Sequence, residues 1–121
     1  MRGDMPSSAL NEFRFLTDPA LLIMVSLADG AKHGYAVMKD VERFSTFTMS
    51  PGTLYGAIAR LDERGWIEEI QTRDYRRRPF RLTNAGSRAL RDHLEFLDTL
   101  STLGLRRLRP RLSTRKGAAT K

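Results

Sequence analysis

The stretch SPGTLYGAIARLDERGWIEE, residues 50–69, decides how the chain is read. Ser50 is a strong helix N-cap, and Pro51 fits the first helical position, where a missing N–H loses nothing. Leu54, Ile58 and Leu61 recur at the helical interval with Ala57 beside them, which makes one buried stripe. Gly65 supplies the stop. The spacing therefore predicts a helix from Pro51 that ends at Gly65. Its first turn carries Thr53 and Tyr55, two hydrogen-bonding side chains, where a core helix would use leucine. That end of the helix must face something polar.

Working toward the N-terminus, DPALLIMVSLADG (residues 18–30) opens with Asp18 as N-cap and Pro19 at the first helical position. Nearly every side chain before Gly30 is apolar, so this helix should be central. A short loop with Gly34 leads to a second helix, about Tyr35 to Arg43, with Ala36, Val37, Met38 and Val41 inward and Lys39, Asp40, Glu42 and Arg43 outward. The alternating TFTM (residues 46–49) reads as a short strand. Residues 1–17 show no clear period and read as an N-terminal arm.

Toward the C-terminus, WIEEIQ and PFRLT read as two short strands joined by TRDYRRR, a polar connector with four arginines. Pro79 restricts the second to an edge or to a strand start. Thr83 or Asn84 then caps a last helix running to about Leu103, lined by Leu90, Leu94 and Leu97, with Phe96, Leu100 and Leu103 beside them. After Gly104 the basic segment 105–121 reads as a fraying, flexible tail. The expected fold is mainly α with a small β-hairpin: a winged helix-turn-helix over residues 18–83, and a long C-terminal helix over 84–104.

Composition narrows the function. The 121 residues contain no cysteine, so disulfide frameworks, zinc ribbons and thiol nucleophiles are excluded. His33 and His93 are far apart and lack the spacing of a zinc site, and no metal or cofactor is expected. No apolar run approaches the roughly 20 residues that span a bilayer; a cytoplasmic protein without a membrane partner is the expectation. Residues 1–71 hold 7 Lys+Arg against 10 Asp+Glu, whereas residues 72–121 hold 14 against 4. Such asymmetry suggests a polyanion on one side of the molecule.

A helix-turn-helix presents the N-terminus of its second helix to the major groove. This accounts for the polar turn. Free backbone N–H groups and the positive end of the helix dipole favour a phosphate oxygen beyond Ser50. Gly52 removes a side chain where a backbone has to come close, and Thr53 and Tyr55 can donate to phosphates or base edges. The arginines Arg73, Arg76, Arg77 and Arg78 fall at the tip of the wing, beside the same double-stranded DNA. Read without DNA, the same features are a good helix start and a solvated hairpin tip.

Together HGYAVMKDV, SPGTLYGAIARLDERGWIEE and RRRPFRLTNAGSRAL resemble the PadR family of bacterial transcriptional regulators, in the family's order and at about its spacing, over residues 18–95. The resemblance implies a dimeric DNA-binding protein, most often a repressor. It puts Tyr35 near a phosphate at the start of the first helix of the pair. Ser50, Gly52, Thr53 and Tyr55 fall at the recognition end, Lys39 and Arg60 beside it, and Arg76, Arg77 and Arg78 in the wing. Ala36 stands where many members have glutamate, and Pro79-Phe80 replaces the family's aromatic pair. The region after Thr83 has room for one long helix, which resembles the smaller subtype.

Leu90, Leu94, Leu97, Leu100 and Leu103 are too many for so small a domain to cover, and burying each contributes on the order of 1.5–3 kcal/mol. A twofold homodimer is the economical solution. Several relatives sense small hydrophobic or aromatic molecules near that interface; Phe13, Phe15 and Phe96 could line such a space here, although no residue names an effector. An alternative is a winged helix whose basic wing and tail bind an acidic protein. An enzyme is not expected. Ser26, Asp29 and His33 are close in sequence but lack a nucleophile elbow or oxyanion loop, and there is no P-loop or dinucleotide fingerprint.

Overall fold

The first helix, α1 (Pro19–Leu27), begins where Asp18 accepts a hydrogen bond from the Ala20 N–H at 2.7 Å and Pro19 needs no partner. Ile23, Met24 and Leu27 are buried, and Ala20, Leu21, Leu22 and Val25 pack partly against the same core. A helix apolar on nearly all sides has to lie at the centre. The structure is a computed structural model and describes residues 18–73 and 77–118. The arm at residues 1–17, with Phe13 and Phe15, and Arg76 in the wing lie outside the described residues.

A two-residue strand, β1 (Lys32–His33), follows and was not expected. Helix α2 spans Gly34–Ser45 and buries Val37 and Val41. Its cap is His33, whose Nδ1 accepts from the Ala36 N–H at 3.3 Å. Lys32 bonds both the Ser26 carbonyl and the Asp29 carboxylate, closing the α1–β1 connection. The Lys32 ammonium beside Asp29 holds its carboxyl below the usual carboxylate range.

The TFTM segment forms no strand. Thr46 takes a left-handed φ of 64° to end α2, the Ser45 hydroxyl accepts from the Phe47 N–H, and Met49 is buried in the core. Helix α3 (Pro51–Glu63) then buries Leu54, Ala57, Ile58 and Leu61, the stripe expected from spacing. Its end is a Schellman closure. Gly65, at φ 76°, donates to the Asp62 carbonyl and Trp66 to the Leu61 carbonyl.

Strands β2 (Ile67–Glu69) and β3 (Pro79–Leu82) form the expected hairpin, with Ile67 opposite Leu82 and Glu69 opposite Phe80. β1 adds to the other side of β3, Lys32 opposite Phe80, so the sheet has three antiparallel strands in the order β1-β3-β2. β3 is therefore central. Pro79 is tolerated because it is the first residue of the strand, and its carbonyl still accepts from the Ile70 N–H. The wing is thus joined by backbone hydrogen bonds to the chain that enters α2.

Thr83 caps helix α4 (Asn84–Ala118): its Oγ1 accepts from the Gly86 N–H at 3.0 Å and donates to the Gly65 carbonyl at 2.6 Å. Two findings on α4 correct the expectations. Leu90, expected on a dimerisation face, is only 5 % exposed and belongs to the core with Ile23, Leu54 and Phe80. The helix also passes through Gly104, expected as its stop, and continues to Ala118 where a fraying tail was expected. Gly104 costs the helix about 1 kcal/mol relative to alanine, and it stands among the leucines and arginines of LGLRRLR, which are good helix formers. Packing divides the chain into two units, one ending at Leu90 and the other starting at Arg91. In the second, Leu94, Phe96, Leu100, Leu103, Leu105 and Leu108 are exposed and Leu97 is half-buried.

Candidate nucleic-acid interface

The exposed end of α3 is built around Ser50. Its Oγ accepts from the Thr53 N–H at 3.1 Å, which satisfies one of the free donors of the first turn, and donates its proton to Thr53 Oγ1 at 3.0 Å. Thr53 Oγ1 is thereby an acceptor from Ser50, and its own proton remains to be donated outward. Gly52 is open, with only Ser50 Oγ as near as 4.0 Å to where a Cβ would stand. Leu54 is fully buried, so the next residue, Tyr55, turns back to the surface and is 51 % exposed.

Tyr55 lies against Gly34 at the N-terminus of α2, its Oη 2.3 Å from where a methyl on the Gly34 Cα would be. Tyr35, the next residue of α2, is 62 % exposed. Lys39 lies one turn further along α2, its Nζ 5.7 Å from the Tyr35 ring centroid and 3.5 Å from Glu42. The tertiary fold thus brings Ser50, Gly52, Thr53 and Tyr55 together on α3 and sets Tyr55 against the residue before Tyr35. Arg60 is on the same helix but about 15 Å of rise from Ser50. Its guanidinium leans back toward Gly56.

In the wing, Arg77 and Arg78 are exposed. Arg78 pairs with Glu69 at 3.3 Å and Arg81 with Glu68 at 2.7 Å, so two arginines of β3 and its approach already face carboxylates of β2. Both pairs are solvent-facing and weak enough for a phosphate to compete.

A family model described as the transcriptional regulator PadR-like family matches residues 23–92. The chain belongs to the PadR-like family. An uncharacterized 37.1 kDa protein in a transposon of Streptomyces fradiae is 38% identical over 84 residues, 69% of this chain; the chain spans only 24% of that protein's length. Among solved structures, H. salinarum RosR is 30% identical at a TM-score of 0.63, covering 89% of this chain and 98% of that one. A PadR-like transcriptional regulator from Bacillus cereus shares the fold at a TM-score of 0.69 and 16% identity, covering 79% of this chain and 96% of that one.

In this PadR-like chain the three residues weighed as a catalytic set do not converge. The Ser26 hydroxyl donates to Asp40, Asp29 is engaged by Lys32, and His33 caps α2 through Nδ1. Gly34, against which Tyr55 lies, carries no distinguishing mark in the sequence. It read as part of a loop, because nothing local distinguishes a glycine that relieves a chain bend from one that admits a ring some 20 residues later in sequence. Among the described residues no helix is long and apolar enough to cross a membrane.

Proposed function

We propose that this PadR-like regulator is a cytoplasmic, dimeric repressor that reads an inverted-repeat site in double-stranded DNA. One observation carries the reading. The α3 face that carries Leu54, Ala57, Ile58 and Leu61 is wholly packed, while its capped end presents the Thr53 hydroxyl and the Tyr55 phenol to solvent, with Tyr35 and Lys39 on the neighbouring helix. In this arrangement the α3 terminus enters the major groove. The phenols, the Lys39 ammonium and Arg60 meet phosphates or base edges, and Arg76, Arg77 and Arg78 meet the flanking backbone.

Leu94, Leu97, Leu100 and Leu103 supply the dimer contact, with Leu90 kept for the core. Exposed leucines in such number favour a second copy over solvent. Two recognition helices about 34–36 Å apart would then address one turn of DNA. Phe96, exposed beside that face, is the described aromatic residue available to a small apolar or aromatic effector at the interface.

The test is a titration of the purified protein with duplex from the promoter of its own gene, against a scrambled duplex, across a salt series. The expected result is affinity for the native fragment that persists in salt where the scrambled one dissociates. Equal and equally salt-sensitive binding to both would show only a basic surface and would sink the reading.

A further inference from the structure

Gly34 opens α2 and is buried, although it carries no side chain to bury. A methyl added to its Cα would lie 2.3 Å from Tyr55 Oη, 2.9 Å from Tyr55 Cζ and 3.3 Å from Leu54 Cδ2. The first two distances are shorter than any real Cβ contact. The backbone is not what calls for glycine here: the positive φ angles among the described glycines belong to Gly30 and Gly65. What calls for it is the phenol, which fills the volume that any other residue at position 34 would need.

A half-exposed tyrosine on a helix surface has several staggered rotamers open to it. Tyr55 has one side closed by the α2 backbone at Gly34 and the other open to solvent. We propose that Gly34 is a positioning residue for DNA recognition. By admitting the Tyr55 ring against the α2 terminus it fixes the phenol in its DNA-facing rotamer before DNA arrives, so that binding does not have to order it. The inference rests on the reading of the α3 terminus as the DNA-contacting end, but the seat itself can be observed without DNA.

Two measurements test it. In the free full-length protein, the Gly34 Hα protons should show nuclear Overhauser contacts to the Tyr55 ring, and those contacts should vanish in Gly34→Ala together with a shift of the Tyr55 ring resonances. An absent contact in the wild-type protein overturns the seat. The second is a cycle of Gly34→Ala, Tyr55→Ala and the double variant, read as promoter-DNA affinity and thermal midpoint. Gly34→Ala should weaken promoter binding about tenfold, at the lower end of the loss expected from one contact. In the Tyr55→Ala background it should change affinity less than twofold.

Equal losses in both backgrounds would overturn the proposal, since Gly34 would then act on its own account. If Gly34→Ala does not fold, a double variant as stable as Tyr55→Ala alone supports the seat, and a double variant that also fails to fold overturns it. A wild-type protein that shows the Overhauser contact and does not bind promoter DNA would sink the DNA reading and the recognition role of Gly34 together, leaving only a packing contact.

Discussion

Ser26 Oγ donates to Asp40 Oδ2 at 2.7 Å, joining the central helix α1 to the middle of α2 through a hydroxyl that is only 1 % exposed. Asp40 Oδ1 accepts from Arg43 at 3.0 Å, so the carboxylate is held from both sides. Asp40 sits among residues whose pattern places them on the outer face of α2. It reaches inward to Ser26, the one hydroxyl in an otherwise apolar helix. Such a bond to a charged group contributes about 1.5–3 kcal/mol, toward the low end here because the Asp40 side chain keeps some contact with solvent. Ser26→Ala should therefore lower unfolding free energy by about 1.5 kcal/mol in a urea titration. Combining it with Asp40→Ala should cost clearly less than the sum of the two. Additive losses would mean that the two residues are not coupled.

Gly86 makes a sharper case. A Cβ there would stand 1.9 Å from the Trp66 carbonyl oxygen and 2.8 Å from its carbon, and backbone cannot swing away as a flexible side chain can. The first turn of α4 is held in this place by Thr83, which bonds the Gly65 carbonyl and receives the Gly86 N–H. Helix propensity favours Ala over Gly by about 1 kcal/mol. Overpacking typically costs about 1–3 kcal/mol and is worst against backbone. Gly86→Ala should be net destabilising by about 2 kcal/mol in chemical denaturation. A variant as stable as the parent would show that α4 starts further from the α3–β2 turn.

What the sequence made legible, and what it hid, follows the range of the interactions involved. α3 could be read closely because Ser50, the Leu54–Leu61 stripe and Gly65 are local and each has one dominant physical meaning. β1 could not. Two residues carry no period, and their pairing with Phe80 and Pro79 is set by the fold. TFTM has the alternation of a strand, but among the described residues it pairs with none, and its Thr46 is committed to closing α2. Leu90 shares its helical repeat with Leu94 and Leu97. Only the position of α4 against the core separates it from them. The polar residues of the α3 terminus were legible as misfits in a core helix; the glycine that seats one of them was not, because its reason lies in another helix.

Thr53 and Tyr55 allow stability and recognition to be separated. Ser50→Ala should destabilise the fold by about 1 kcal/mol, since it removes the cap of α3. Thr53→Ala and Tyr55→Ala leave the Ser50 cap acceptor in place, and both side chains lie largely at the surface. They should leave the thermal midpoint nearly unchanged while weakening promoter binding by about 1–3 kcal/mol each. Calorimetry together with DNA titration reads both quantities. Parent-like affinity in both variants would remove this helix end from the DNA surface.

The wing prediction follows from the Arg78–Glu69 pair at 3.3 Å. A carboxylate beside a phosphate-binding arginine both competes for it and repels the DNA. Glu69→Gln should therefore tighten binding to native and scrambled duplexes alike. Arg77→Ala should weaken both and reduce the slope of log affinity against log salt by about 1. An unchanged slope in Arg77→Ala would place the wing away from phosphate.

Dimerisation should depend on the part of α4 after Leu90 and not on Leu90 itself. Leu97→Asp with Leu100→Asp puts charge on a face where the described side chains are exposed or half-buried, so the winged helix should keep its thermal midpoint to within the contribution of the dimer. Sedimentation equilibrium should shift from dimer to monomer, and promoter affinity should fall steeply as two half-sites are no longer held together. Leu90→Ala should do the reverse. Truncating a fully packed leucine costs about 2–5 kcal/mol, so the domain loses stability while folded molecules still associate. A Leu97→Asp/Leu100→Asp protein that remains a dimer would move the interface to another surface. A dimer lost with Leu90→Ala at full thermal stability would return Leu90 to that interface.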